Sequence, residues 1–194
     1  METQELTRLV ARCRSGDELA WEAFVLEFQS RLYALAYSYV GDREEARDLA
    51  QEIFIRLYET RHRWAPGEDF VPWLFKVARN RSVDYLRRRR VRRPASTIDP
   101  AILNDLADPA PSSETLAVES DRRHLLRTAL KSLSRISSEI VLLRDVHGLS
   151  VQHVASVLGI PVGTVKSRAS RARGELTQRI LALRRPAGAA GDAP

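Results

Sequence analysis

Apolar residues recur at intervals of three and four between residues 21 and 39 of the chain. This spacing places side chains on one face of an α-helix and predicts a helix of about five turns. The apolar positions are Trp21, Phe24, Val25, Phe28, Leu32, Leu35, Ala36 and Tyr39. Gly41 predicts the end of this helix, and Asp42 followed by Glu45 predicts a capped start for the next one.

A second apolar stripe with helical spacing follows Asp42. It consists of Ala46, Leu49, Ala50, Ile53, Phe54 and Leu57. Pro66-Gly67 interrupts the pattern, and a third helix is predicted to begin near Pro72 and to continue into the arginine run 87–90. With a short helix expected before Gly16, residues 1–93 are predicted to form a compact helical domain.

The pattern changes in residues 94–113, which contain four prolines, no glycine and no basic residue. This composition predicts a flexible acidic linker. Helical spacing returns in residues 114–185, and the tail 186–194 is predicted to be disordered. The expected fold class is therefore all-α, with two small helical domains joined by a flexible linker.

The second domain carries the pattern of a helix-turn-helix. Ser150 is suited to cap a short helix, Gly159 to end it, and Pro161 to open a final helix that runs toward Leu183. The exposed side of that final helix is predicted to carry Lys166, Ser167, Arg168, Ser170, Arg171 and Arg173. Polar donors and arginines suit base edges and phosphates, so the pattern favours DNA binding over a plain basic hairpin.

The charge distribution strengthens the expectation of a polyanionic partner. The 194 residues carry 31 Lys and Arg against 25 Asp and Glu, a net charge of +6, and all but three of the basic residues are arginine. Eight arginines and a single acid lie within residues 79–93. Because arginine forms bidentate contacts with phosphates and bases, such a cluster is typical of a nucleic-acid partner.

Several classes of function are disfavoured by what the sequence lacks. The single cysteine, Cys13, leaves neither a disulfide framework nor a multi-cysteine zinc site. No apolar segment is long enough to span a membrane and no signal-peptide pattern is present, which predicts a cytoplasmic protein. Catalytic motifs are absent, and the four histidines (62, 124, 147 and 153) are scattered and expected on the surface. The chain is therefore expected to be no enzyme and to hold no metal or cofactor.

Two features of the first domain point to a nucleic-acid surface. Arg79, Asn80 and Tyr85 precede the arginine run on the same predicted helix. The loop with Arg63 and Trp64 offers an aromatic beside basic residues, which suits stacking on an exposed base. The same aromatic could equally close the end of the helical bundle, and the residues alone leave both interpretations open.

One face of the second predicted helix is polar. Asp48, Gln51 and Glu52 are spaced three and four residues apart and share this face. In most proteins such a face is simply solvated, and composition does not assign it a partner.

Three segments together resemble the sigma-70 family of transcription factors. WEAFVLEFQSRLYALAYSYVGDREEARDLAQEIFIRLYE and FVPWLFKVARNRSVDYLRRRR resemble its region 2. LKSLSRISSEIVLLRDVHGLSVQHVASVLGIPVGTVKSRASRAR resembles its region 4, with Ser134 where the family usually has proline. With only these two regions, the chain is similar to extracytoplasmic-function (ECF) sigma factors. The resemblance implies a non-enzymatic subunit that binds core RNA polymerase, directs it to promoters and is held by an anti-sigma factor.

The resemblance also implies roles for individual residues. The residues implied to contact the β′ subunit of the polymerase are Asp48, Gln51 and Glu52. The residues expected to contact the −10 element, with Trp64 and Asn80 capturing a flipped base, are Arg63, Trp64, Arg79, Asn80 and Tyr85. The residues expected at the −35 element are Thr164, Lys166, Ser167, Ser170, Arg171 and Arg173. Region 4 is expected to rest on the β subunit.

An alternative is an autonomous helix-turn-helix regulator that needs no polymerase subunit for specific binding. It accounts for residues 133–180 but leaves DLAQEIF and Trp64 without a role.

Overall fold

The computed structural model describes residues 3–65, 69–92, 129–130 and 133–184, and all regular secondary structure in these ranges is helical. The elements are α1 (Thr3–Arg14), α2 (Glu18–Val40), α3 (Arg43–Thr60), a 3₁₀ turn (Arg61–Arg63), α4 (Phe70–Arg92), α5 (Arg135–Val141), a π-helical turn (Leu142–Val146), α6 (Val151–Leu158) and α7 (Val162–Arg184). The expected all-α fold class is confirmed. The predicted linker 94–113 and tail 186–194 lie outside the described residues.

Capping residues fix the boundary between α2 and α3. Gly41 adopts a φ of 72°, which glycine tolerates, and its N–H donates to a carbonyl in the last turn of α2. Asp42 Oδ1 accepts hydrogen bonds of 2.9 Å from the N–H groups of Glu44 and Glu45. The predicted end of one helix and start of the next are therefore confirmed.

Aromatic side chains fill the interior of the first half, where α2 packs against both α3 and α4. The rings of Trp21 and Phe24 stack with centroids 5.0 Å apart, and Phe70 meets Phe24 edge-on at 5.7 Å. Helix α4 begins at Phe70, close to the predicted start near Pro72. Pro72 then lies in the first turn, where a missing N–H costs no helical hydrogen bond.

The second half contains the predicted helix-turn-helix, formed by α6 and α7. Ser134 caps α5 by accepting a hydrogen bond from the Ser137 N–H. Ser150 caps α6, and Gly159 ends it with a φ of 66°. These caps set the sharp turn that brings α7 against α6.

The two halves share one hydrophobic core, because α6 packs against α4. The buried members of this core from the second half are Ile140, Leu142, Leu143, Leu149, Val154, Ala155, Val157, Val165 and Ala169. A smaller separate cluster holds α5 against α7, through Val141, Ala172 and Leu176. The hydrophobic pattern predicted both helical units but did not predict that they pack on one another.

Candidate nucleic-acid interface

Helix α7 has the two faces that a helix-turn-helix requires. Val165, Ala169 and Ala172 are buried at spacings of four and three, and they join α7 to the rest of the second half. The residues on the exposed face are Lys166, Ser167, Ser170, Arg171 and Arg173. Thr164 is half-buried at the start of the helix, and its carbonyl accepts a 3.1 Å hydrogen bond from the Ser167 hydroxyl. The structure therefore brings all six predicted −35 residues together on α7.

Arg173 differs from the other basic residues of this face because it has an intramolecular partner. Its guanidinium donates to the carboxylate of Asp145 in the π-helical turn. This hydrogen bond and the nearby negative charge raise the pKa of Arg173. The pair ties the recognition helix to the turn that precedes α6.

The polar face of α3 holds the three residues predicted to bind the polymerase. Asp48 and Gln51 are exposed, whereas Glu52 is half-buried. Glu52 Oε2 lies 2.7 Å from Arg81 Nη2 and 3.0 Å from Arg88 Nη2, both on α4. This carboxylate therefore links the polar face of α3 to the cationic helix α4.

The residues predicted to contact the −10 element differ in their exposure to solvent. Arg63 and Asn80 are exposed, but Trp64 is only 2% exposed and its ring lies edge-on to Phe70 at 5.9 Å. In this arrangement Trp64 closes the end of the helical bundle, one of the two interpretations that its sequence context allowed. Tyr85 is half-buried on α4, and burial together with nearby carboxylates raises its pKa.

Arg79 is engaged by the second half of the chain. Its Nε and Nη2 donate to Glu139 Oε2 on α5 at 3.0 and 2.7 Å. The side chain of Arg79 is 20% exposed and that of Glu139 is 4% exposed. Arg135, one turn before Glu139, lies 3.5 Å from its other carboxylate oxygen. Tyr39 is buried beside this group, and burial together with the Glu139 charge raises its pKa.

Further contacts across the two halves surround His147. Arg31 donates to the His147 carbonyl oxygen at 3.3 Å and lies over the ring of Phe75, which also contacts the His147 ring. Burial, with a smaller contribution from Arg31, lowers the pKa of His147 to about 4. Nearby, His153 Nε2 lies 2.6 Å from Asp69 Oδ2.

Of the histidines that were expected on the surface, His147 is half-buried, and its Nε2 is shielded from solvent without a hydrogen-bond partner among the described residues. His62 is exposed and His153 half-buried, while His124 lies outside the described residues. The sequence held one signal for the contacts between the halves. Glu139 directly precedes the apolar run 140–143, an unusual place for a charge that has no partner.

Three further features of the described residues concern metal binding, membrane crossing and the single cysteine. Within the described ranges, no three His, Cys, Asp or Glu side chains are grouped to hold a metal ion. None of the helices in the same ranges combines the length and apolar character that crossing a membrane requires. Cys13 is buried, and burial raises the pKa of its thiol.

All regular secondary structure of the described residues is helical, and a polar recognition helix together with a second arginine-rich helix defines a helix-turn-helix protein of the DNA-binding class. Residues 24–92 match the family model for Sigma-70 region 2, and residues 123–176 match the model for Sigma-70 region 4. The chain belongs to the sigma-70 family, in its ECF group. Residues 24–92 are called region 2 below, and residues 123–176 region 4.

Curated relatives and a solved structure agree with this assignment. The RNA polymerase sigma-H factor of Pseudomonas aeruginosa is 32% identical over 96% of this chain and 100% of its own length. The ECF RNA polymerase sigma-E factor of Escherichia coli is 28% identical over 90% of this chain and 94% of its own. The sigma factor RpoE of Bartonella quintana, crystallised with the anti-sigma factor NepR, superposes with a TM-score of 0.63 at 26% identity. That alignment covers 84% of this chain and 98% of the other.

Proposed function

We propose that this chain is a promoter-specificity subunit of bacterial RNA polymerase. It binds the core enzyme, recognises the −35 and −10 promoter elements and starts transcription of a specific set of genes. The observation that carries the proposal is the presence of both sigma regions in one chain. An autonomous helix-turn-helix regulator is less favoured, because it would give region 2 no role. Cytoplasmic location and lack of enzymatic activity belong to the same proposal.

In this proposal α7 reads the −35 element in the major groove. Lys166, Ser167, Ser170 and Arg171 are exposed on one face and supply donors for base edges, while Thr164 and Arg173 lie near phosphates. The buried seam of Val165 and Ala169 supports this role, because it holds the reading face away from the protein.

The −10 element is proposed to bind at α4 and the preceding loop. Exposed Arg63 and Asn80 are available at once for a single-stranded segment. Trp64 is proposed to stack on a flipped base, which requires its ring to leave the contact with Phe70. Arg79 and Tyr85 complete the proposed surface, and Arg79 must first part from Glu139.

The two proposed protein partners are core RNA polymerase, through its β′ and β subunits, and an anti-sigma factor. The face of Asp48, Gln51 and Glu52 binds the β′ subunit, and its exposed polar groups support that role. Region 4 rests on the β subunit. The complex of the Bartonella sigma factor with NepR supports an anti-sigma factor as a regulator of this chain.

Run-off transcription on the DNA upstream of the chain's own gene tests the proposal. Bacterial core polymerase is incubated with and without the protein, and core binding is measured by pull-down from the same tubes. We expect a discrete transcript only when both are present, and its loss when the −35 sequence of the template is scrambled. Absence of both a transcript and core binding would overturn the proposal and favour the autonomous regulator.

A further inference from the structure

We propose that region 4 binds region 2 of the same chain through Glu139, and that this contact withholds Arg79 from the −10 element until the regions separate. The proposal rests on the proposed function, because it assumes that Arg79 contacts DNA. The partner of Arg79 is Glu139 on α5, so the group that occupies this surface belongs to the same chain.

The contact between Arg79 and Glu139 occupies the groups that a nucleic acid would use. Two nitrogens of the guanidinium donate to one carboxylate oxygen, at 3.0 and 2.7 Å. A carboxylate and a phosphate offer similar oxygen acceptors to arginine. Glu139 therefore takes the place of a phosphate oxygen, and the two ligands exclude each other.

The pair is well shielded, which separates it from ordinary surface ion pairs. The Glu139 side chain is 4% exposed, whereas Arg56 and Glu59, an exposed pair on α3, are about half exposed. Exposed pairs contribute little because solvent screens them, while a buried charge without its partner is strongly unfavourable. Removal of either partner is therefore expected to weaken the packing of region 4 on region 2.

Other contacts at the same interface act in the same direction. Arg31 donates to the His147 carbonyl, and His153 lies against Asp69 just before α4. Phe75 of region 2 and Val154 of region 4 belong to one buried hydrophobic core. The interface is thus a packed surface, with the Arg79–Glu139 pair at one side.

The packed arrangement is too small to reach both promoter elements. Elements centred near −35 and −10 are about 25 base pairs apart, or about 85 Å at ~3.4 Å per base pair. A compact chain of 194 residues has a radius of gyration of about 16 Å and a diameter of about 40 Å. Region 4 must therefore leave region 2 before both elements can be bound, and that step releases Arg79.

A charge-swap experiment tests the contact without polymerase or promoter. The full chain is compared with Arg79→Glu, with Glu139→Arg and with the double variant by small-angle X-ray scattering. We expect each single variant to increase the radius of gyration by several ångström, because like charges then face each other. The double variant should return to the compact value. Circular dichroism verifies that helical content is retained, and Glu139→Gln replaces any charge reversal that loses it.

DNA binding of the isolated chain tests the consequence. The probe is a short fluorescent oligothymidylate, and affinity is measured by anisotropy. We expect Glu139→Gln to tighten binding about fivefold, since a larger fraction of the chain becomes competent to bind. Glu59→Gln removes the same charge from an exposed pair and should change binding less than about twofold. Arg79→Ala should abolish the gain when added to Glu139→Gln.

The outcomes separate this proposal from the proposed function. Single charge reversals that leave the radius of gyration unchanged, or equal gains from Glu139→Gln and Glu59→Gln, would overturn the masking of Arg79. Neither result depends on run-off transcription. Conversely, a failed run-off assay combined with a restored compact double variant would leave the contact in place and remove only the sigma role.

Discussion

The two cationic helices of this molecule hold their basic side chains differently. On α4, Arg81 and Arg88 contact the carboxylate of Glu52, and Arg89 lies 2.8 Å from Glu45. On α7, Lys166 and Arg171 form no ion pair with any described residue, whereas Arg173 pairs with Asp145. A dense arginine cluster in the sequence is therefore not the same as a free cationic surface.

The difference arises from what each helix packs against. Helix α4 lies beside α3, whose acidic residues Glu45 and Glu52 reach its arginines. Helix α7 packs through small apolar residues such as Ala169, and among the described residues only Asp145 forms an ion pair with its exposed face, through Arg173. A phosphate that binds Arg81, Arg88 or Arg89 on α4 must replace a carboxylate, whereas one that binds Arg171 on α7 displaces no carboxylate of the described residues. We therefore expect α7 to dominate duplex binding and α4 to act after rearrangement.

The largest expected effect comes from Arg171 on the free face of α7. Arg171→Ala should reduce −35-dependent initiation about 10- to 100-fold, because a good bidentate base contact contributes about 1–3 kcal/mol of discrimination. Run-off transcription on the chain's own promoter measures the loss.

Arg179→Ala is the matched control, since Arg179 is exposed on the same helix two turns further along. It removes the same charge but lies beyond the predicted reading residues, so initiation should fall less than about twofold. Equal losses for both variants, or no loss for Arg171→Ala, would contradict base reading by this face.

The next effect concerns Glu52, the carboxylate that joins α3 to α4. Glu52→Lys should weaken core polymerase binding about tenfold, or about 1.4 kcal/mol, by reversing a charge on the proposed contact face. The same change frees Arg81 and Arg88, so binding to the oligothymidylate should strengthen rather than weaken. Pull-down and anisotropy measure the two effects.

Glu59→Lys is the control for this second prediction, because Glu59 is exposed on the same helix and outside the proposed face. Core binding should remain near the wild-type value. If Glu52→Lys also leaves core binding unchanged while helicity is intact, the α3 face is only a solvated surface.

Local patterns predicted the helices because caps and apolar spacing act within a few residues. Gly41, Ser150 and Gly159 mark helix boundaries in sequence and in structure. The exposure of Trp64 could not be predicted in this way, because its neighbours in the sequence allowed both an exposed and a buried ring. The Arg79–Glu139 contact joins residues 60 positions apart, and no local rule specifies such a pair. Local patterns therefore predicted the helices that carry most of the candidate residues, while the present partners of these residues were not predicted.

A smaller effect is expected from pH at the interface between the regions. Burial and Arg31 lower the pKa of His147 to about 4, whereas an exposed histidine titrates near 6.5. His147 is thus neutral when packed, and its contribution to packing is complete above about pH 6.5. As the pH falls, proton uptake favours the separated state, and the packing equilibrium should weaken about fourfold at pH 6.

The comparison of wild type with His147→Phe isolates this contribution. Phenylalanine keeps a ring against Phe75 but cannot titrate. His153, which lies 2.6 Å from Asp69, is present in both proteins and cancels in the difference. The radius of gyration between pH 7.5 and 5.5 is the measurement. Identical pH profiles for the two proteins would exclude His147 as the cause.

The smallest expected effect concerns Arg173, which differs from Arg171 on the same helix because it has a carboxylate partner. Arg173 already bonds Asp145, so a phosphate gained there is partly offset by a carboxylate lost. Arg173→Ala should weaken duplex binding only about twofold, equally for promoter and unrelated sequences. The slope of the logarithm of the binding constant against the logarithm of the salt concentration should fall in magnitude by less than about one. Asp145→Asn should act in the opposite direction, because it releases the Arg173 guanidinium. Anisotropy with two duplexes over a salt series measures both. A sequence-specific loss from Arg173→Ala would instead place Arg173 with Arg171 among the base-reading residues.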